Sequence, residues 1–216
     1  MQPYLCDSWQ GLLQQLVYLV GRGYIYWHVT YFPMNKQKKW EQIDEKLIKK
    51  YGTDKSKWQR SRLKVKGMAN FMYLRWKQIA VILHTNGDLP EDLSLDDPFS
   101  DIRYRHLTLK ISELTSFDIQ YIQKSGYQDY TITVRFSKEM YRGLKDELYE
   151  VSKIKDPNLM KKTFEKINGF PAWAGIVSQR RFLAKYLVKQ ARKNDVKLNE
   201  SELKIKDRRV PVKVWI

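Results

Sequence analysis

Residues 79–83 read Ile-Ala-Val-Ile-Leu, a short and unbroken apolar run. A run of this length, followed by the turn-forming residues 84–88, is typical of a strand that is buried on both faces. A second strand is predicted upstream at 24–32, where aromatic and β-branched residues lie between Gly23 and Pro33. The two runs predict the sheet-containing part of the fold.

Helices and further strands are predicted on both sides of these runs. Apolar residues spaced by three and four predict a first helix that begins after Asp7 or Ser8 and ends at Gly21. The same spacing predicts a second helix at 40–51, where Gly52 ends the pattern. The rest of the chain is predicted to form strands at 104–111, 117–123, 130–136 and 210–216, and helices at 138–153, 158–167 and 172–194.

The predicted fold class is α+β, with a mixed or antiparallel sheet of about five to six strands, an N-terminal helix and a helical C-terminal third. The 216 residues show no internal repeat and no long linker. A single domain over 1–216 is therefore predicted. The alternative is a sheet-containing part at 1–155 followed by a basic helical part at 156–216.

Cysteine content and hydropathy restrict the compartment and the class of site. Cys6 is the single cysteine, which excludes an intramolecular disulfide and a cysteine-based zinc site. The apolar stretch 12–20 is far shorter than the roughly 20 residues that cross a bilayer. It also lacks the basic start of a secretory signal. The prediction is a cytoplasmic or nucleoid-associated protein with no membrane partner.

The positive charge is concentrated in two blocks of the chain. The formal charge is +16, from 40 Lys and Arg against 24 Asp and Glu. Residues 35–66 hold twelve basic and four acidic residues, and residues 151–216 hold seventeen basic and six acidic ones. Large regions of one sign attract polyanions and steer them in. The predicted partner is therefore DNA or RNA.

The first block mixes cations with tryptophans. Cations contact phosphates and aromatic faces stack on unpaired bases, so this mixture is typical of single-stranded nucleic acid binding. Trp40 is equally consistent with a core position. Cations alternate with other residues over 60–66, which predicts an edge strand or a mobile arm. The candidate contacts are Lys38, Lys39, Lys57, Trp58, Arg60, Arg62, Lys64 and Lys66.

The second block includes a stripe of cations along the predicted helix at 172–194. No acidic residue occurs in this helix, and its basic residues recur at intervals of three and four. An ordinary solvated basic face is the alternative interpretation. The candidate contacts are Arg180, Arg181, Lys185, Lys189, Arg192 and Lys193.

Catalysis is a separate hypothesis, because six acidic residues and no basic one lie within 88–101. Clustered carboxylates bind Mg²⁺ in metal-dependent nucleases, so Mg²⁺ is the one cofactor the sequence suggests, and only if the protein is a nuclease. Each histidine stands alone, so the His-hydrophobic-His pair of a rolling-circle nickase is absent. The metal ligands are not identified. The candidate catalytic residues are His84, Asp97, Asp101, His106 and, as a covalent nucleophile, Tyr141.

Three functions remain open from the sequence. The first is a nucleic-acid-binding protein that contacts the phosphate backbone through two basic surfaces. The alternatives are a metal-dependent endonuclease or strand-nicking enzyme, and a ribonucleoprotein assembly or structural subunit. The aromatic strand predicted at 24–32 and the basic helices resemble, in their general composition, those of mobile-element and phage proteins. This resemblance implies an origin in a mobile element, phage or plasmid.

Overall fold

The computed structural model describes residues 4–91, 93, 97–123 and 130–216. The chain divides into two compact units, each assembled from separated segments. The first consists of Met1–Leu107, Tyr121–Ile132 and Val212–Ile216, and the second of Thr108–Gln120 and Thr133–Pro211. Within the described residues, seven strands form two antiparallel sheets and are accompanied by six α-helices. The predicted α+β class, with its N-terminal helix and helical C-terminal third, is confirmed.

The first unit contains a four-stranded sheet. Its strands are β1 (Tyr26–Tyr31), β2 (Phe71–Trp76), β3 (Ile79–His84) and β4 (Ser100–Asp101), in the order β2-β3-β1-β4. All six residues of β3 are buried, as the apolar run predicts. His84 pairs with Tyr26 on one side and with Phe71 on the other. This register brings the end of β3 beside the start of β2.

Two predicted helices cover this unit. Helix α1 (Trp9–Val20) begins at Ser8, whose hydroxyl accepts a hydrogen bond from the backbone N–H of Gly11. Helix α2 (Trp40–Tyr51) has the predicted bounds, and Gly52 ends it with a φ of 53° that favours glycine. The core on one side of the sheet is built from Phe32, Trp40, Tyr51, Ala69, Phe71, Tyr73, Ala80 and Ile82.

Residues 57–65 form a third helix, α3 (Lys57–Val65), so the predicted edge strand or mobile arm is wrong. The hydroxyl of Ser56 accepts a hydrogen bond from the backbone N–H of Gln59, and the Gln59 side chain accepts one from the backbone N–H of Ser56. This reciprocal capping box satisfies two donors that a helix start otherwise leaves free. No residue of α3 is buried, so local capping rather than core packing defines the helix.

The second unit is mainly helical. The strands predicted at 104–111, 117–123 and 130–136 are β5 (Leu107–Lys110), β6 (Ser116–Gln123) and β7 (Tyr130–Phe136). They form an antiparallel meander, and all three also contribute residues to the first unit. Helices α4 (Lys138–Lys153), α5 (Pro157–Lys166) and α6 (Ala174–Lys193) follow. Helix α4 packs against α5 and α6. The buried face of α6 includes Ile176, Val177, Leu183, Leu187 and Ala191.

The predicted strand at 210–216 is reduced to one antiparallel bridge, between Trp215 and Cys6. Beside it, a Cβ at Gly11 would lie 2.8 Å from the carbonyl oxygen of Lys213, so only glycine fits there without a shift. No helix in the described part of the chain is long and apolar enough to cross a membrane.

Candidate nucleic-acid interface

One side of α3 lines a groove in the first unit, called here the α3 groove. The lining from α3 comes from residues three and four apart, which share one side of a helix. The turn between α1 and β1 and the adjacent ends of β2 and β3 supply the other residues. The groove has a volume of about 440 Å³ and is lined by Arg22, Gly23, Tyr24, Lys57, Arg60, Ser61, Lys64, Asn70, Thr85 and Asn86.

The α3 groove is strongly positive. Its described lining contains four cations, Arg22, Lys57, Arg60 and Lys64, and no carboxylate. None of the four forms an ion pair with a described residue. Burial raises the pKa of Tyr24, and the nearby charge of Arg60 acts in the opposite direction. The groove therefore has a positive charge that no described side chain neutralises.

Asn70 differs from the cations because it is buried and uncharged. Its backbone N–H donates to the Thr85 hydroxyl over 3.0 Å, and the backbone N–H of Thr85 donates to the Asn70 carbonyl over 3.0 Å. Its side-chain Oδ1 is buried without a hydrogen-bond partner, the one such side-chain atom among the described residues. Buried polar atoms are nearly always paired, so this amide calls for a functional explanation.

The opposite side of α3 exposes apolar surface next to cations. Trp58 is 79% exposed and Val65 is 86% exposed. They line a shallow concave surface of about 630 Å³ together with Arg62 and Lys66, which are both exposed. An indole this exposed contributes little to the core, and its face is open to a flat ligand.

The other candidates of the first block lie outside the α3 groove. Trp40 is 7% exposed, and its indole N–H donates to the carbonyl of Pro33, so the core alternative holds for this residue. Lys38 and Lys39 are exposed at the end of the 3₁₀ segment Met34–Lys39.

Helix α6 presents the predicted stripe in the second unit. Its exposed cations are Arg181, Lys185, Lys189, Arg192 and Lys193. None of them forms an ion pair with a described residue. Phe182, which the sequence did not single out, is 60% exposed beside Arg181. The helix therefore combines cations with an aromatic side chain, as α3 does.

Arg180 is a wrong candidate, because its side chain is fully buried. It lies on the packed side of α6, and its guanidinium donates hydrogen bonds to the backbone carbonyls of Ile167, Phe170 and Lys206. Burial lowers its pKa to about 10. The guanidinium thus stabilises the segments around α6 and is not available to a phosphate.

The candidate catalytic residues His84 and Asp97 have different partners. The buried His84 ring stacks on Tyr26 and on Phe71, with centroid distances of 4.6 and 4.9 Å. Burial lowers its pKa. Asp97 accepts a hydrogen bond from the Tyr51 hydroxyl, which is the main reason that the pKa of Asp97 is lowered. The His28 Nε2 lies 3.9 Å from its other oxygen, so Asp97 lies beside His28.

The remaining catalytic candidates have contacts of their own. Asp101 is held by the Arg103 guanidinium through three hydrogen bonds, and His106 is exposed. Tyr141 belongs to α4 of the second unit, where burial raises its pKa. Among the residues that the structure describes, no three His, Cys, Asp or Glu side chains lie together in a way that could hold a metal ion. Two acidic residues of the loop, Asp92 and Asp96, fall outside the described residues.

Several groove residues could not be found from local patterns. Arg22 and Tyr24 precede β1, and Asn70, Thr85 and Asn86 become neighbours only through the pairing of β2 with β3. Helix α3 itself had a signal, the Ser56-Lys-Trp-Gln59 capping box. Comparison of the chain with protein-family models, with curated proteins and with solved structures finds no match.

Proposed function

We propose that the protein binds DNA or RNA by contacting the phosphate backbone at two surfaces, the α3 groove and the exposed cations of α6. The observation that supports this most is the described lining of the groove, which has four cations that form no ion pair with a described residue and has no carboxylate. Cations that neutralise phosphates release counterions, which is the main driving force of binding that does not depend on base sequence. The proposal implies a location with accessible nucleic acid, in the cytoplasm or on the nucleoid.

The α6 stripe supports a second contact of the same kind. From Arg181 to Arg192 the helix rises ~16 Å, at about 1.5 Å per residue, which is long enough to follow several phosphates. Helix α6 itself contains no acidic residue, so the stripe carries charge of one sign along this length. No motif for reading base edges accompanies the cations, so we expect contacts that position a strand rather than read its sequence.

The test is the salt dependence of binding to a labelled oligonucleotide of generic sequence, followed by fluorescence anisotropy. If four phosphates of a single strand are contacted, the slope of log K against log salt is about −3, from roughly −0.7 per contact. Affinity that stays constant as salt is raised would exclude the proposal.

Matched variants locate the contacts. The double variant Lys57→Gln/Arg60→Gln removes two groove cations, and Arg181→Gln/Lys185→Gln removes two cations of the stripe. The control Lys46→Gln/Lys49→Gln removes the same charge from the exposed side of α2. We expect the first two to reduce the salt slope by about 1 or more and the control to change it little, because only direct contacts release counterions.

A further inference from the structure

We propose that the α3 groove holds one unpaired nucleotide, with its phosphate on the cations and its base or sugar on the uncharged polar residues, so that the protein prefers single strands to duplexes. This inference rests on the proposed function and specifies the form of nucleic acid that the first unit binds.

The size of the groove favours a single nucleotide. A volume of about 440 Å³ lies within the range of about 300–1,000 Å³ that is typical of sites for one small ligand. A double helix can place phosphates near α3, but its bases stay stacked and paired inside the duplex. A base or sugar enters a pocket of this size only when the nucleotide is unpaired.

The lining separates into two kinds of chemistry, which match the two parts of a nucleotide. Lys57, Arg60 and Lys64 follow one side of α3 and supply positive charge for a phosphate. The ends of β2 and β3 supply Asn70, Thr85 and Asn86, which carry amides and a hydroxyl. Such uncharged groups donate to and accept from base edges and sugar hydroxyls. Phosphate binding alone would not require them.

The unpartnered oxygen of Asn70 makes this assignment more specific. Oδ1 is an acceptor, so a phosphate oxygen cannot satisfy it, whereas a base amino group or a sugar hydroxyl can donate to it. The side chain makes no hydrogen bond to any described residue, while its backbone is held by Thr85. The backbone of Asn70 is therefore held in place, while the acceptor on its side chain is unused in a groove that four cations line.

The experiment compares a labelled 12-nucleotide single strand with a hairpin duplex, using the full chain at fixed salt and fluorescence anisotropy. We expect the wild type to bind the single strand about tenfold or more tightly. Arg60→Gln and Asn86→Ala should each weaken single-strand binding about fivefold, the lower end of the effect of a lost nucleotide contact. Asn86→Ala should leave duplex binding within about twofold, and Arg60→Gln should weaken duplex binding less than single-strand binding, since a duplex places no base in the groove.

Two further variants sharpen the test. Arg62→Gln makes the same chemical change as Arg60→Gln on the opposite side of α3, outside the groove, so it should leave the ratio of single-strand to duplex affinity within about twofold of the wild type. Asn70→Leu replaces the unpartnered amide by an apolar side chain of similar size, so we expect an unchanged or higher melting temperature together with weaker single-strand binding. The exposed Asn86 provides the readout if Asn70→Leu does not fold.

The possible failures are distinguishable. Salt-dependent binding with equal affinity for single strand and duplex, or equal effects of Arg60→Gln and Arg62→Gln, would overturn the nucleotide site and leave the proposed function in place. Salt-independent binding, or no binding of either ligand, would overturn both.

Discussion

Arg75 on β2 holds Asp44 on α2 by two parallel hydrogen bonds. Nε lies 2.8 Å from Oδ1, Nη2 lies 2.7 Å from Oδ2, and both side chains are buried. The Tyr73 hydroxyl also donates a hydrogen bond to Oδ1 over 2.6 Å. The Arg75 guanidinium also lies over the rings of Phe32 and Trp40. This ion pair connects α2 to the sheet at the centre of the aromatic core.

Removing the charge of Asp44 should destabilise the first unit strongly. In Asp44→Asn the Arg75 guanidinium stays buried without its counter-charge, which typically costs about 3–5 kcal/mol. Glu45→Gln is the control, because it removes one carboxylate from an exposed position of the same helix and should cost less than about 0.5 kcal/mol. Urea unfolding measures both. Equal stability of the two variants would contradict the assignment of the ion pair.

The sequence predicts the elements whose signals are local. Helix α2 has its predicted bounds because Trp40 starts an apolar periodicity and Gly52 ends the helix with a positive φ. Strand β3 is buried on both faces, as its unbroken apolar run indicates. Strand β2 was not predicted, because Phe71–Trp76 contains Arg75, a charged residue that is unexpected in a buried strand. Its burial is explained only by Asp44, which lies 31 residues away in the sequence.

The candidate interface was predictable in part for the same reason. Charge and aromatic content marked Lys57, Trp58, Arg60 and Lys64, but period-two alternation in a stretch rich in cations was mistaken for a strand. On a helix, alternate residues lie about 200° apart, so Arg60 and Lys64 lie on the groove side while Arg62 and Lys66 lie on the opposite side. Asn70 gave no signal, because its position beside the cations depends on how distant segments pack.

Arg180 and its neighbour Arg181 should have opposite effects on stability and binding. Arg180→Met leaves the carbonyls of Ile167, Phe170 and Lys206 without their donor, and we expect a loss of about 2–4 kcal/mol in the free energy of unfolding. Arg181→Met changes an exposed side chain, with less than about 0.5 kcal/mol expected.

Oligonucleotide affinity is the second readout for this pair of variants, measured at low temperature where both are folded. Arg181→Met should weaken binding, and Arg180→Met should leave it within about twofold, because a buried guanidinium contacts no phosphate. A greater loss of affinity in Arg180→Met than in Arg181→Met would contradict the buried position of Arg180.

The stability of the protein should decline in mild acid because of His84. Burial lowers the pKa of His84 in the folded state, while the unfolded chain takes up this proton near the usual value of about 6.5. Between these two pKa values the unfolded state binds more protons, so this contribution is fully present above about pH 6.5 and is lost as pH falls below it. Because a single proton is involved, the free energy of unfolding changes by at most about 1.4 kcal/mol per pH unit.

Urea unfolding between pH 7.5 and 5 tests this dependence. His84→Phe keeps a ring between Tyr26 and Phe71 and removes the titrating group. The free energy of unfolding of this variant should therefore decline less steeply with falling pH than that of the wild type. His106→Gln removes an exposed histidine instead and is the matched control. Equal declines in the wild type and His84→Phe would assign the pH dependence to other groups.

Trp58 should contribute to binding and not to folding. Its indole is almost fully exposed on α3 beside Arg62 and Lys66, so Trp58→Ala should change the free energy of unfolding by less than about 0.5 kcal/mol. Stacking of a base on an aromatic side chain is worth about 1–3 kcal/mol in alanine substitutions, which corresponds to a loss of roughly 5-fold to 150-fold in affinity for a single strand.

Val65→Ala is the matched control for Trp58→Ala. It shortens a side chain of the same helix that is equally exposed but has no aromatic face, so the affinity of this variant should stay within about twofold of the wild type. Anisotropy titrations at two salt concentrations separate stacking from charge, since the loss in Trp58→Ala should be the same at both. A Trp58→Ala protein that binds single strands as tightly as Val65→Ala would show that α3 binds through its cations alone.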